Sequence, residues 1–162
     1  MCIRDRWEHR TDAAPTAQWN FPEPVGSRPV IAEFTMADVV TVAQHLAVPD
    51  VTTYMTTQAV QDIADPDTPA PTATDENGRS DQTFLIDAVV RSAGAERRAT
   101  ARGQDIYAVT APLVAEALER VLTGPTKTVG VVSAGEIFDA ADFLDALAPH
   151  VTFDMYVQKQ YA

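Results

Sequence analysis

Three polar side chains stand where the sequence could hold a ligand. Arg28 lies between Gly26 and Pro29 on a stiff loop, and its guanidinium could clamp a carboxylate. Tyr107 and Thr110 lie at a predicted strand-to-helix junction, a place where ligands and anions often bind. The structural alternatives are a surface arginine, a packed tyrosine and a helix-capping threonine. The three residues are therefore candidates for lining a ligand cleft, beside these structural alternatives.

The sequence motifs for phosphate, zinc and serine-nucleophile chemistry are absent. The chain contains no G-x-G-x-x-G, G-x-x-x-x-G-K-[ST], H-E-x-x-H or G-x-S-x-G, and the glycines between 124 and 130 have the wrong spacing and follow a helix. The histidines His9, His45 and His150 are far apart, and Cys2 is the one cysteine. We therefore expect this chain alone to bind no dinucleotide cofactor and no metal ion.

The stretch 103–122 is the predicted scaffold for Tyr107 and Thr110. Its β-favouring residues predict a strand at 106–109, after which Thr110 caps a helix with Pro112 in its first turn. Gly124 is expected to end that helix. The helix is amphipathic: an apolar stripe is expected to face a sheet, and a charged stripe to face solvent. The apolar stripe comprises Leu113, Val114, Ala117, Leu118, Val121 and Leu122, and the charged one Glu116, Glu119 and Arg120.

Patterns elsewhere predict the remaining elements. Prolines between Trp19 and Pro29 argue against a helix or a central strand there, and 37–46 suits a short helical turn followed by a strand. Residues 83–101 read as a hairpin that turns at Gly94, and 64–80 as a long polar loop. Asp139 is expected to cap a last helix, and Val151 to Phe153 to add a final strand.

These elements predict an α+β fold with a mixed, largely antiparallel sheet and helices packed on one face. One domain is expected over 19–154, followed by a tail at 155–162. Residues 1–18 read as a leader outside the domain. Its first six residues resemble the translation of sequencing-adapter DNA, and the alternative is a short disordered leader.

Composition narrows the function classes. The formal net charge is −11, from 23 acidic against 12 basic residues, so the chain repels nucleic-acid phosphates. The one basic cluster, Arg97, Arg98 and Arg102, is expected to be a solvated strand face. Neither a membrane-spanning apolar run nor a secretory signal is present in the sequence, and a cytoplasmic location is the expected default.

Four segments occur in the same order in a known family. They are Phe21–Gly26, Met36–Leu46, Gly103–Pro112 and Ala134–Asp139. Together they resemble the C-terminal half of saccharopine dehydrogenase-like (saccharopine reductase-like) oxidoreductases, from about Trp19 to Phe153. The resemblance implies a parent enzyme that uses NAD or NADP, with an upstream Rossmann domain that this sequence lacks. His45 recurs with the pattern, as Tyr107 does, which adds His45 to the residues of the substrate cleft; packing is the alternative for both.

The expected function is therefore that of a substrate-binding and dimerisation domain. In the intact parent, hydride would pass between the nicotinamide and a small-molecule substrate, and the parent would be a homodimer. The alternative is a stand-alone binding or dimerisation module without chemistry. A non-catalytic membrane-associated relative is a third reading, against which the lack of a basic amphipathic helix argues.

Overall fold

The computed structural model describes the backbone of residues 2–3, 6–7 and 12–159 and the side chains of residues 12–156. This part of the chain divides into two compact units. The first reaches Pro69 and includes Val131–Glu136, and the second contains Ala70–Gly130 and continues from Ile137. Two-residue strands β1 (Cys2–Ile3) and β2 (Arg6–Trp7) pair antiparallel near the N-terminus. The rest of the predicted leader up to residue 11, and residues 160–162 of the predicted tail, lie outside the described residues.

The first unit contains an antiparallel sheet in the order β3-β4-β5, built from β3 (Thr16–Asn20), β4 (Ser27–Ala32) and β5 (Tyr54–Thr56). Strand β3 begins two residues before the end of the predicted leader. The expectation that the proline-rich stretch holds no central strand is wrong, since β4 is central and contains Pro29. Because β5 pairs only with Val30–Ala32, Pro29 lies where β4 has a single neighbour, a position that proline tolerates.

Two helices complete the first unit, α1 (Ala37–His45) and α2 (Thr57–Ala64). The prediction of a helical turn followed by a strand over 37–46 is wrong, because α1 is one continuous helix. Each valine disfavours a helix relative to alanine by only a few tenths of a kcal/mol. The helical conformation buries Val39, and this burial outweighs the preference of the valines for a strand.

The second unit contains another antiparallel sheet, in the order β6 (Thr83–Ser92), β7 (Ala95–Gln104) and β8 (Val151–Lys159). The predicted hairpin is confirmed. Its two-residue turn places Ala93 at φ 50° and Gly94 at φ 76°, the positive values that a type I′ turn needs to match strand twist. The final strand is also confirmed, and it extends well into the stretch predicted as a tail.

Helices α3 (Ile106–Thr123) and α5 (Ala140–Ala146) cover one face of this second sheet, and a short helix α4 spans Ala134–Ile137. Asp139 caps α5 as predicted, accepting from the Asp142 N–H at 3.2 Å. Phe84 and Ala101 of the sheet pack against the buried core of this unit. That core comprises Val109, Phe138, Phe143, Leu147 and Val151.

The start of α3 differs from the sequence prediction. Residues 106–109 are helix rather than strand, and Asp105 rather than Thr110 is the N-cap residue. Pro112 therefore lies inside the helix, beyond its first turn. The predicted end is confirmed, since Gly124 adopts the left-handed conformation at φ 99° that terminates helices.

The rotation of α3 also differs from the prediction. Arg120, assigned from sequence to the solvent face, is 7% exposed, whereas the large apolar residues of the predicted buried stripe are 40–76% exposed. The Arg120 guanidinium donates to Glu116 at 2.6 Å and to the Asp142 carboxylate at 2.5 Å, and it lies 5.3 Å from the centre of the Phe143 ring. These contacts compensate the buried charge and hold that side of α3 inward.

A long connection precedes β6, as predicted. Residues 65–82 contain neither helix nor strand. Its end is fastened, because the Ser80 N–H donates to the Asp105 carboxylate at 2.8 Å and the Ser80 carbonyl accepts from the Gln104 side chain at 2.7 Å. The loop is therefore closed onto the strand-to-helix corner of β7 and α3.

The fold class is α+β, as the sequence predicts. The described chain has five helices and two three-stranded sheets beside the short β1–β2 pair, and the expectation of one mixed sheet gives way to two separate, wholly antiparallel ones. Short connections, such as the turn at Ala93 and Gly94, join β3 to β4 and β6 to β7, whereas β5 and β8 each return after a segment that contains helix.

Candidate functional site

The four predicted cleft residues are distributed over both units. Arg28 lies in β4 and His45 at the end of α1, both in the first unit, whereas Tyr107 and Thr110 lie in the first two turns of α3 in the second unit. Within each unit these side chains have different surroundings, which decide what each can do.

Arg28 is an exposed strand residue. One of its guanidinium nitrogens donates to the carbonyl of the preceding Ser27 at 3.2 Å, and Arg28 pairs in register with Trp19 of β3. Trp19 in turn lies against Tyr54, with ring centres 4.8 Å apart. A guanidinium beside an aromatic pair, on the part of β4 that has a single strand neighbour, can meet a carboxylate from solvent.

Tyr107 and Thr110 both point away from the core of the second unit. Tyr107 is 72% exposed. The Thr110 hydroxyl donates back to the Ile106 carbonyl at 3.4 Å, one turn earlier, so it does not serve as the predicted cap. Neither side chain is held in a fixed polar site, and both are open to a partner molecule.

Asp105 lies at the N-terminus of α3, the junction at which the sequence predicts that an anion could bind. One carboxylate oxygen accepts from the N–H groups of Tyr107 and Ala108, each at 3.0 Å, and the other accepts from Ser80. The Ser80 N–H, followed by that of Ala108, holds the pKa of the Asp105 carboxyl below its usual value. A helix start already filled by a carboxylate repels a phosphate, so these residues do not fit a dinucleotide cofactor.

His45 lies in a more constrained site. Its Nδ1 is 2.6 Å from the Thr41 carbonyl oxygen and 3.1 Å from the Ser133 hydroxyl. A carbonyl only accepts, so we assign the proton to Nδ1, with Ser133 as a second acceptor. The neutral ring then keeps the lone pair on Nε2, which can accept a proton or a hydrogen bond.

A glycine makes room for this imidazole. A Cβ on Gly135 would lie 2.8 Å from His45 Nε2 and 3.0 Å from its Cε1, closer than side-chain carbons approach. The absence of a side chain at Gly135 therefore leaves the Nε2 edge of the ring uncovered at this position. His45 and Gly135 belong to two of the four segments on which the family resemblance rests, and the structure brings them together.

Sequence reasoning identified His45 but missed Ser133 and Asp105. Ser133 is 88 residues from His45, and no spacing rule connects them. Asp105 carried a usable signal, since an aspartate immediately before an apolar helical pattern is a favoured N-cap. The competing Thr110 and Pro112 pair concealed it.

Surface depressions, metal-ligating groups and the remaining histidines were the other features that could indicate a binding site. Shallow depressions lie at 33–35 with 51–53 and at the 91–96 hairpin turn, and none of the four predicted residues lines them. Among residues 12–156, no three His, Cys, Asp or Glu side chains converge to hold a metal ion. Across the described helices, none has the length and apolar character that crossing a bilayer demands. His9 lies outside the described residues, and His150 is exposed.

Comparison with protein-family models, with curated proteins and with solved structures finds no match for this chain. The resemblance to saccharopine dehydrogenase-like oxidoreductases therefore stays a prediction from the four sequence segments.

Proposed function

We propose that this chain is the substrate-binding and dimerisation domain of a saccharopine dehydrogenase-like oxidoreductase. The observation that supports this most is the contact between His45 and Gly135. Two segments of the family pattern, far apart in sequence, meet at a position where a Cβ in place of the glycine hydrogen would crowd the imidazole. A chance likeness in sequence gives no reason for the two segments to meet in this way.

In this proposal, His45 is the residue that faces substrate chemistry. The Thr41 carbonyl fixes its tautomer and the Ser133 hydroxyl steadies its ring, which leaves Nε2 as a hydrogen-bond acceptor or base. Arg28, in the same unit as His45, is the proposed contact for a charged group of the substrate. NAD or NADP would be held by the upstream Rossmann half, since the residues here do not fit it.

The test uses the parent protein, obtained by extending the reading frame upstream. An early strand followed by G-x-G-x-x-G, together with NADH or NADPH binding followed by fluorescence, is the expected result. A genuine start site just before Met1, or an extended protein that binds neither nucleotide, would refute the oxidoreductase assignment.

The role of His45 is tested in the same parent by His45→Gln, with His150→Gln as the matched control on an exposed histidine. If Nε2 moves a proton, H45Q should lower kcat/KM by about a hundredfold or more and remove one limb of the pH–rate profile. H150Q should change neither. Unaltered kinetics in H45Q would reduce His45 to a side chain that caps the end of α1.

The second candidate is a stand-alone association module, which the exposed apolar side of α3 favours. Such a module would bind a partner through α3 without needing His45. It becomes the better proposal if the extended reading frame carries no nucleotide-binding half while the chain still self-associates.

A further inference from the structure

Helix α3 presents an ordered apolar row to solvent. The row comprises Tyr107, Ala111, Val114, Leu118 and Val121, and we name it the α3 seam. Its members are spaced four, three, four and three residues apart, the heptad spacing that keeps one side of a helix against a second helix. Tyr107 is 72% exposed, and Val114, Leu118 and Val121 are each a little over half exposed.

The positions of α3 that flank the α3 seam carry no charge. The flanking positions are Ala108, Thr110, Ala115, Ala117 and Leu122. Glu116, Glu119 and Arg120 lie on the other sides of α3. In a chain with a net charge of −11, two copies repel each other at most surfaces, and an uncharged row is where they can approach closely. An acidic or basic partner, by contrast, would find no complementary charge here.

The sizes of the seam residues fit an antiparallel pair of identical helices. Around a twofold axis at Val114, Tyr107 lies opposite Val121 of a second copy, and the small Ala111 lies opposite the larger Leu118. A parallel pair would instead set Ala111 against Ala111, which leaves a gap at that level. The sizes of the seam residues therefore favour the antiparallel direction.

We infer that the α3 seam is a homodimer interface in which two α3 helices pack antiparallel about Val114. This inference rests on the dimerisation role in the proposed function and specifies its surface and partner. The exposed seam and Leu122 offer roughly 500 Å² of apolar surface per copy, about 1,000 Å² for the pair, which is the lower bound of a specific interface. A dissociation constant in the micromolar range or weaker follows.

Sedimentation of the 162-residue chain over a range of concentrations tests the interface. We expect a monomer–dimer equilibrium that Leu118→Lys shifts at least tenfold toward monomer. Glu119→Lys is the matched control: it changes the charge by more, on the same helix, but outside the seam, and should not weaken the dimer. Added salt should strengthen association, because it screens the acidic repulsion.

Cysteine cross-linking tests the direction, in a background with Cys2→Ser. A mixture of Tyr107→Cys and Val121→Cys chains should form a disulfide-linked pair on mild oxidation, and Tyr107→Cys alone should not. A link in Tyr107→Cys alone would overturn the antiparallel arrangement. Because Tyr107 and Val121 are exposed, these variants retain the fold even where Leu118→Lys does not.

The other outcomes separate this inference from the proposed function. A chain that stays monomeric at all concentrations, or a dimer unaffected by L118K, overturns the seam as a homodimer interface without touching the His45 kinetics. A monomer that binds a separately expressed upstream half, with that binding lost in L118K, would assign the face to that half and also overturn it.

Discussion

Gly103 occupies a position in β7 where any side chain would collide with fixed neighbours. A Cβ there would lie 2.7 Å from the Phe84 Cε1 and Cζ atoms and 3.0 Å from the His150 carbonyl oxygen. Phe84 packs against the core of the second unit, and His150 immediately precedes β8, so neither can move aside freely. Overpacking of this kind costs about 1–3 kcal/mol. The lost flexibility of the unfolded chain returns only about 0.4–1 kcal/mol.

Gly103→Ala should therefore destabilise the protein by about 0.5–2 kcal/mol. Urea unfolding followed by circular dichroism measures this as a lower midpoint at an unchanged slope. Gly135→Ala is the matched comparison: its Cβ meets the end of the His45 side chain rather than a core ring and a backbone carbonyl, so its cost should be smaller. In a double-mutant cycle, G103A should cost less free energy of unfolding in a Phe84→Leu background than in the unmodified protein, because the smaller leucine leaves room for the added Cβ. A G103A variant with the same urea midpoint as the unmodified protein would refute the packing argument.

Two further predictions concern charged groups. Because the folded-state pKa of Asp105 is lowered, its contribution to stability is present above the unfolded pKa of about 3.9 and is lost as the pH falls through the folded value. Asp105→Asn should therefore flatten the acid side of the profile of unfolding free energy against pH, measured by urea unfolding at several pH values. Arg120→Lys should lower the urea midpoint, since lysine lacks the planar fork that reaches Glu116 and Asp142 together, whereas R97K on an exposed strand residue should leave it unchanged.

Local signals predicted the elements that depend on neighbouring residues. The turn at Gly94, the Asp139 cap and the end of α3 at Gly124 each require a backbone or side-chain property that one residue type supplies. The start of α3 was predicted wrongly because two capping signals compete there. The earlier one, Asp105, is the N-cap residue, and its carboxylate also accepts a hydrogen bond from Ser80 at the end of the loop.

Features set by distant residues could not be read from the sequence. Periodicity located the apolar and charged sides of α3 but not which side faces inward, and that depends on Asp142, 22 residues beyond Arg120. The setting of His45 likewise depends on Ser133 and Gly135, which only the folded chain brings near. The four segments of the family resemblance include His45 and Gly135, but nothing in the sequence indicates that these two residues meet.

The fastening of Ser80 by Asp105 and Gln104 makes the preceding loop a permissive site for engineering. Ser80, near the end of the loop, is bonded to Gln104 and Asp105 at the far end of the hairpin, so the hairpin does not rely on the chain before Ser80. Residues 68–73 are exposed, and each doubling of a flexible loop costs only about 0.6 kcal/mol. A fluorescent label or affinity tag inserted there should report on the protein while leaving the β6–β7 hairpin and the start of α3 intact.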